Sequence, residues 1–268
     1  MGRKVSIDVG RAHYGATRWC GTRGTEASES YRWIPENGEI RDGDVVLVVG
    51  AGGPMGQMHV VRTLSGGWKN VTLVASDVDS ARLEDLGAKV RGLAERQGVE
   101  LRLADAKEAS RGRYSYVALM APMAGLVAQA VEQSLEGGRI NIFAGIPAGT
   151  RAELDLDGYI ERKVWMFGTS GSRIGDMKRV QEKVESGQLD TNYSVGAVSG
   201  MRGAIDGIRA VEKRTVAGKI IVYPGLHEIG LVELRELAGK YPSVSAKLRD
   251  GTWTKEAEEE LMRVAREK

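Results

Sequence analysis

The stretch that decides the fold is VVLVVGAGGPMG, residues 45–56. Its first half, Val45 to Val49, is a short unbroken apolar run rich in β-branched residues, the mark of a strand buried on both faces. Its second half is a cluster of glycines that gives way to a helical pattern carrying Met58, Val61 and Leu64 on one face and ending at Gly66 and Gly67. A strand that runs through glycines into a helix lets the backbone approach a phosphate closely and points helix N-terminal amides at its charge. The candidate phosphate loop is therefore Gly50, Gly52, Gly53, Pro54, Met55 and Gly56. Its register stays open. Gly50-x-Gly52 calls for glycine at 55 and finds Met55, whereas Gly53 and Gly56 keep the second half of the motif with Ala51 in its first place.

Downstream, strand and helix alternate. Strands are expected at 71–75, 99–103, 116–120, 140–143 and 163–167, and helices at 81–86, over Leu126 to Leu135, and at 176–186 with Met177, Val180 and Val184 inward. This order predicts an α/β fold, a doubly wound parallel sheet of Rossmann type. Asp77, at the end of the second strand and 21 residues beyond Gly56, is placed to accept hydrogen bonds from ribose hydroxyls and to repel a 2′-phosphate, favouring NAD over NADP. Asp79 is an alternative for that role. Arg82 either stacks near the adenine or pairs with Asp85.

Residues 1–43 are Gly-rich, contain Trp19, Tyr31 and Trp33, and show no long period, so they read as a partly ordered lead-in. Residues 44–225 form the expected cofactor domain. Residues 226–268 read as an extension of amphipathic helices, after a helix over 204–211 and a strand over 218–223.

Composition narrows the function classes. Of 268 residues, 42% are apolar and 28% charged, the balance of a soluble globular protein. The formal net charge is +2 with no long single-sign block, which argues against nucleic-acid binding. No apolar run reaches the roughly 20 residues of a membrane span, and no secretory leader is visible, so a cytoplasmic location is expected. The lone Cys20 offers no internal disulfide and cannot by itself hold a structural zinc. With His13 seven residues away it reads as an ordinary buried cysteine beside a surface histidine. His59 reads as a helix-surface or packing residue and His227 as solvated. No acid–base or nucleophile constellation assembles, so no catalytic residue is named.

From Gly50 to about Pro224 the chain resembles the C-terminal, cofactor-binding half of medium-chain, zinc-type alcohol and polyol dehydrogenases. The resemblance rests on GGPMG (52–56), ASDVDSARL (75–83) with LGA (86–88), LEGGRINIFAG (135–145) and AGKIIV (217–222). It implies six parallel strands and an NAD-dependent oxidoreductase, or its cofactor-binding part, moving hydride between NAD and a secondary alcohol or ketone. It implies further that Met120 and Ala121, with Ala144, Gly145 and Ile146, line the adenosine and nicotinamide pockets, and that 162–170 is an edge strand through which a homodimer forms. The family's preceding zinc-binding domain has no counterpart in the residues before the first strand, so zinc is not expected to be bound by this chain. A catalytically silent NAD-binding fragment and, less favoured, an S-adenosylmethionine-dependent methyltransferase are the alternatives.

Overall fold

The computed structural model describes residues 4–168 and 170–266. The chain opens with β1 (Val5–Asp8) and α1 (Arg11–Tyr14), then a 3₁₀ stretch at Ala27–Trp33. The alternating region follows as β2 (Val45–Val49), α2 (Pro54–Leu64), β3 (Thr72–Asp77), α3 (Ser80–Gln97), β4 (Glu100–Asp105), α4 (Ala106–Ala109), β5 (Tyr114–Leu119), α5 (Ala124–Gln133) and β6 (Ser134–Ile142). After β7 (Arg151–Leu154) and α6 (Leu156–Glu161) come β8 (Trp165–Phe167) and α7 (Ile174–Glu185).

Six strands form one sheet in the order β4-β3-β2-β5-β6-β8, every neighbouring pair parallel. This is the doubly wound Rossmann order, reversing between β2 and β5. The apolar run of β2 shows why its sequence does not alternate. Val46 and Val48 enter a core with Leu73, Ala75 and the α2 and α3 helices, while Leu47 enters the core on the opposite face with Val117 and Ile140. Both faces of the strand are buried, so both sets must be apolar. Asp79 starts α3 by accepting from the Arg82 amide at 3.1 Å, and Gly98 stops it at φ 65°. That helix runs to Gln97, well past the expected 81–86.

Three expectations are corrected. Leu135 lies in β6, which begins at Ser134, rather than on the face of α5. The helix over 176–186 exists as α7, but Met177, Val180 and Val184 are exposed, and none of its residues is buried. The amphipathic period is real, yet its apolar residues stay more than two-fifths exposed, with Val180 lining an open pocket beside α2. The first 43 residues contain more regular structure than their period suggests. β1 pairs antiparallel with β7, Val5 opposite Leu154, and Ile7, Val9 and Ala12 sit in the same core as Ile140 and Ile142.

The rest of the chain builds a third sheet, beside the six-stranded one and the β1–β7 pair. β9 (Val195–Gly200) leads through α8 (Ala204–Glu212) to β10 (Lys219–Tyr223) and then β11 (Val232–Glu233); α9 (Leu237–Lys240), α10 (Pro242–Ser245) and α11 (Lys255–Arg266) follow. The order is β10-β9-β11, parallel for the first pair and antiparallel for the second. Strand β10 thus stands in this smaller sheet, outside the six-stranded one. Trp253 and Leu261 pack beneath it, with the Trp253 indole N–H donating to the Tyr223 hydroxyl at 3.2 Å.

A buried ion pair ties the first strand of the large sheet to its fifth. Arg139 of β6 donates to both carboxylate oxygens of Asp44, at 2.6 and 2.8 Å, and to the Glu39 carbonyl at 2.6 Å. No described helix is long and apolar enough to cross a membrane.

Candidate functional site

The turn out of β2 is set by Gly50, whose φ of 82° only glycine adopts without strain. The amides of Gly50 and Ala51 both donate to the Ser76 carbonyl, at 2.8 and 2.9 Å, locking the loop to the end of β3. Gly53 is the N-cap of α2, Pro54 fills its first position, and no side chain caps the helix. A Cβ on Gly56 would lie 2.0 Å from the Gly50 carbonyl oxygen, so helix and turn touch backbone to backbone there. A Cβ on Gly52 would come within 2.7 Å of Arg82 Cβ and 3.0 Å of an Asp77 carboxylate oxygen. Gly50 makes the turn, Gly52 the close approach and Gly56 the crossing, with one residue more than the usual spacing between the second and third.

Asp77 ends β3 beside this loop. One carboxylate oxygen accepts from the Gly52 amide at 2.8 Å and the other from the Asp79 amide at 3.0 Å. Each oxygen keeps a lone pair for a further donor. Asp79 caps α3 and pairs with Arg82 at 3.4 Å. Arg82 therefore does not pair with Asp85, which holds Lys89 at 2.8 Å. The guanidinium of Arg82 also donates to the Arg214 carbonyl, joining the large domain to the segment before β10.

The remaining walls come from the next two strand ends. The Met120 amide donates to the Val49 carbonyl at 3.0 Å, and a Cβ on Gly50 would sit 3.3 Å from Met120 Cβ; Ala121 follows directly. Ala144 donates to the Leu119 carbonyl at 2.9 Å. Gly145 lies under the Tyr14 hydroxyl, which a Cβ would meet at 2.6 Å. Gly50, Gly52, Gly53, Pro54, Met55, Gly56, Asp77, Met120, Ala121, Ala144 and Gly145 thus gather at the carboxyl ends of β2, β3, β5 and β6. Among these candidates Arg82 alone turns its charged end away, to Asp79 and Arg214.

Other side chains here were not marked by the sequence. Gln57 is fully buried and braces the loop by donating to the Gly52 carbonyl at 3.0 Å, while its Oε1 has no partner among the described residues. Tyr14 arrives from α1, far away in sequence. His13 is buried, its Nδ1 3.1 Å from the Ile142 carbonyl, and Cys20 is exposed, the reverse of what the sequence suggested. His59 packs edge-on against Phe143 with ring centroids 4.7 Å apart. Burial and the nearby Arg62 push its imidazole down to about 4. His227 is exposed. Among the described residues no three His, Cys, Asp or Glu side chains converge on a position that would hold a metal ion.

The class this topology and loop define is the doubly wound Rossmann fold, with its crevice at the reversal of strand order. No family model matches the sequence. The uncharacterized protein YggP of Escherichia coli K12 is 23% identical over 245 residues, an alignment that spans 83% of this chain and 57% of that protein. Among solved structures, the NADH complex of the alcohol dehydrogenase RspB from E. coli CFT073 superposes with a TM-score of 0.54 at 15% identity, covering 76% of this chain and 61% of that one. The cobalt- and zinc-bound thermostable alcohol dehydrogenase of Pyrobaculum aerophilum gives 0.52 at 20% identity, covering 72% and 52%. L-idonate 5-dehydrogenase of E. coli gives 0.52 at 15%, covering 68% and 50%. These likenesses establish the fold. The chain spans between half and about three-fifths of each of these relatives.

Proposed function

We propose that this chain is the cofactor-binding part of an oxidoreductase of the alcohol-dehydrogenase type, taking NAD in preference to NADP and serving hydride transfer between NAD and a secondary alcohol or ketone. The observation that carries the reading is the contact between the Gly52 amide and the Asp77 carboxylate. It sets an acid with spare acceptor capacity beside a glycine turn and an uncapped helix N-terminus, the three features a dinucleotide needs for ribose and pyrophosphate. The residues fit the group: Gly50 at positive φ and the bare Gly53, where a Cβ would meet nothing closer than 3.6 Å, leave backbone open to a phosphate, and a carboxylate at Asp77 suits ribose hydroxyls while disfavouring a 2′-phosphate.

In this reading Gly52, Gly53 and the first turn of α2, Pro54 to Gly56, hold the pyrophosphate. Asp77 holds the adenosine ribose, and Met120, Ala121, Ala144 and Gly145 form the walls that orient the two ends. NAD, when bound, supplies the hydride acceptor. Zinc is not assigned to this chain, and a small-molecule substrate is the expected partner. Solved structures of alcohol dehydrogenases that superpose on this chain, one of them holding NADH, support the proposal. Self-association through the edge that β8 forms belongs to the same proposal, as does a cytoplasmic location.

Calorimetric titration with NAD, NADP and S-adenosylmethionine tests the reading. Saturable binding of NAD, at least tenfold tighter than NADP, is expected. Binding of the methyl donor alone, or of none of the three, contradicts it.

A further inference from the structure

The outer face of α2, turned away from the sheet, carries Met55, Met58, His59 and Arg62. Opposite it stand Val180 of α7 and Leu189 in the segment that follows, and Phe143 closes one end. Between them is a cavity of about 240 Å³. Its principal walls, Met58, Val61, Phe143, Val180 and Leu189, are hydrocarbon, aromatic ring and thioether. An apolar cavity of about 150 Å³ holds a benzene molecule, so this one has room for a six-membered ring with a small substituent.

One polar ring faces this space. His59 is half-buried, its ring meets Phe143 edge-on, and among the described residues neither ring nitrogen makes a hydrogen bond. Held neutral through the physiological range, it offers one N–H donor and one bare nitrogen acceptor with no partner for either. The charges on the lining do not select an ion. Arg62 is engaged by Glu39, and Lys183 and Asp190, of opposite charge, both line the pocket.

We infer that this cavity binds a small uncharged organic molecule about the size of one six-membered ring, through apolar contact with Met58, Phe143 and Val180 and one hydrogen bond between His59 and the ligand's hydroxyl or carbonyl oxygen. A largely apolar, partly open pocket with a few convergent polar groups, here His59 with the Ser65 and Thr191 hydroxyls on the lining, is the usual form of such a site. An ion would meet charges of both signs on the lining and lose its hydration for no net counter-charge. Met55 lines both this cavity and the start of α2, and Phe143 precedes Ala144, so the site adjoins the proposed dinucleotide crevice. Its occupation does not require that crevice to be filled.

Cyclohexanol is the probe, followed in the dinucleotide-free protein by NMR of the ¹³C-labelled methionine methyls and the His59 ring. The inference predicts saturable shifts at Met58 and His59, loss of binding in Val180→Trp, and binding weakened about tenfold in His59→Phe through removal of the hydrogen bond. Cyclohexylammonium is expected to bind at least tenfold more weakly than cyclohexanol. Val180 is largely exposed, so tryptophan there fills the opening without disturbing the core. Absence of saturation in the wild type overturns the inference. So does cyclohexanol binding unaffected by both substitutions, or equal binding of the ammonium. Because no dinucleotide is present, this result and that of the NAD titration stand or fall separately.

Discussion

A methyl group added to Gly56 would be driven into the Gly50 carbonyl, whereas one added to Gly53 finds its nearest atom at 3.6 Å, an ordinary contact. Two neighbouring glycine-to-alanine substitutions should therefore differ sharply. Gly56→Ala is expected to cost more than about 2 kcal/mol, because the α2 helix must back away from the turn, and to abolish NAD binding. Gly53→Ala should cost less than about 1 kcal/mol, the penalty of a poorer N-cap. Urea denaturation of both variants measures this, and equal losses would show that helix and turn are not in contact. His59 gives a pH-dependent counterpart. Its imidazole titrates near 4 in the folded chain against 6.5 ordinarily, so as pH falls the unfolded chain takes up the proton first. The stability it contributes is fully present above pH 6.5 and is lost on the way down to 4, by about 2 kcal/mol at pH 5. His59→Phe should remove that part of the decline between pH 7.5 and 5, and an unchanged slope would place the imidazole in water.

Elements were read unevenly from the sequence, for reasons particular residues make plain. The order of strands and helices from Val45 to Phe167 was legible because β2, β3, β5 and β6 are buried on both faces and punctuated by glycines. The loop and Asp77 were legible because their requirement is a matter of backbone geometry and local order. β1 was not, since its pairing partner β7 lies some 145 residues on and its four residues carry too little pattern. The roles of His13 and Cys20 were inverted for the same reason: the burial of His13 depends on the distant β6 carbonyl. Leu135 was misplaced because β6 begins at the residue immediately after α5 ends, with no intervening loop to break the helical spacing of apolar residues. α7 shows the opposite failure, a correct period whose apolar residues stay exposed, with Val180 lining an open pocket beside α2. At the β8 edge, the chain's own Trp19 bridges to Met166, and Thr169, within the expected 162–170 span, lies outside the described residues. If that edge joins two copies, sedimentation equilibrium will give twice the chain mass of 29.0 kDa and Met166→Pro will reduce it to one; a wild-type monomer contradicts the proposal.

For the molecule as a whole, two sheets with their own cores are linked where Arg82 of α3 meets the Arg214 carbonyl before β10. Arg82 was expected either near the adenine or paired with Asp85, and that tertiary partner, which no local pattern announces, engages its guanidinium. What remains open at the large sheet is the crevice where strand order reverses, rimmed by the glycine turn, Asp77 and the ends of β5 and β6. The central claim is that this crevice holds a dinucleotide, and a crystal structure of the protein grown with NAD tests it most directly. The account predicts the pyrophosphate against Gly52, Gly53 and the first turn of α2, with the adenosine ribose hydroxyls on Asp77. NAD found elsewhere, or a crevice left empty at saturating concentration, would contradict it.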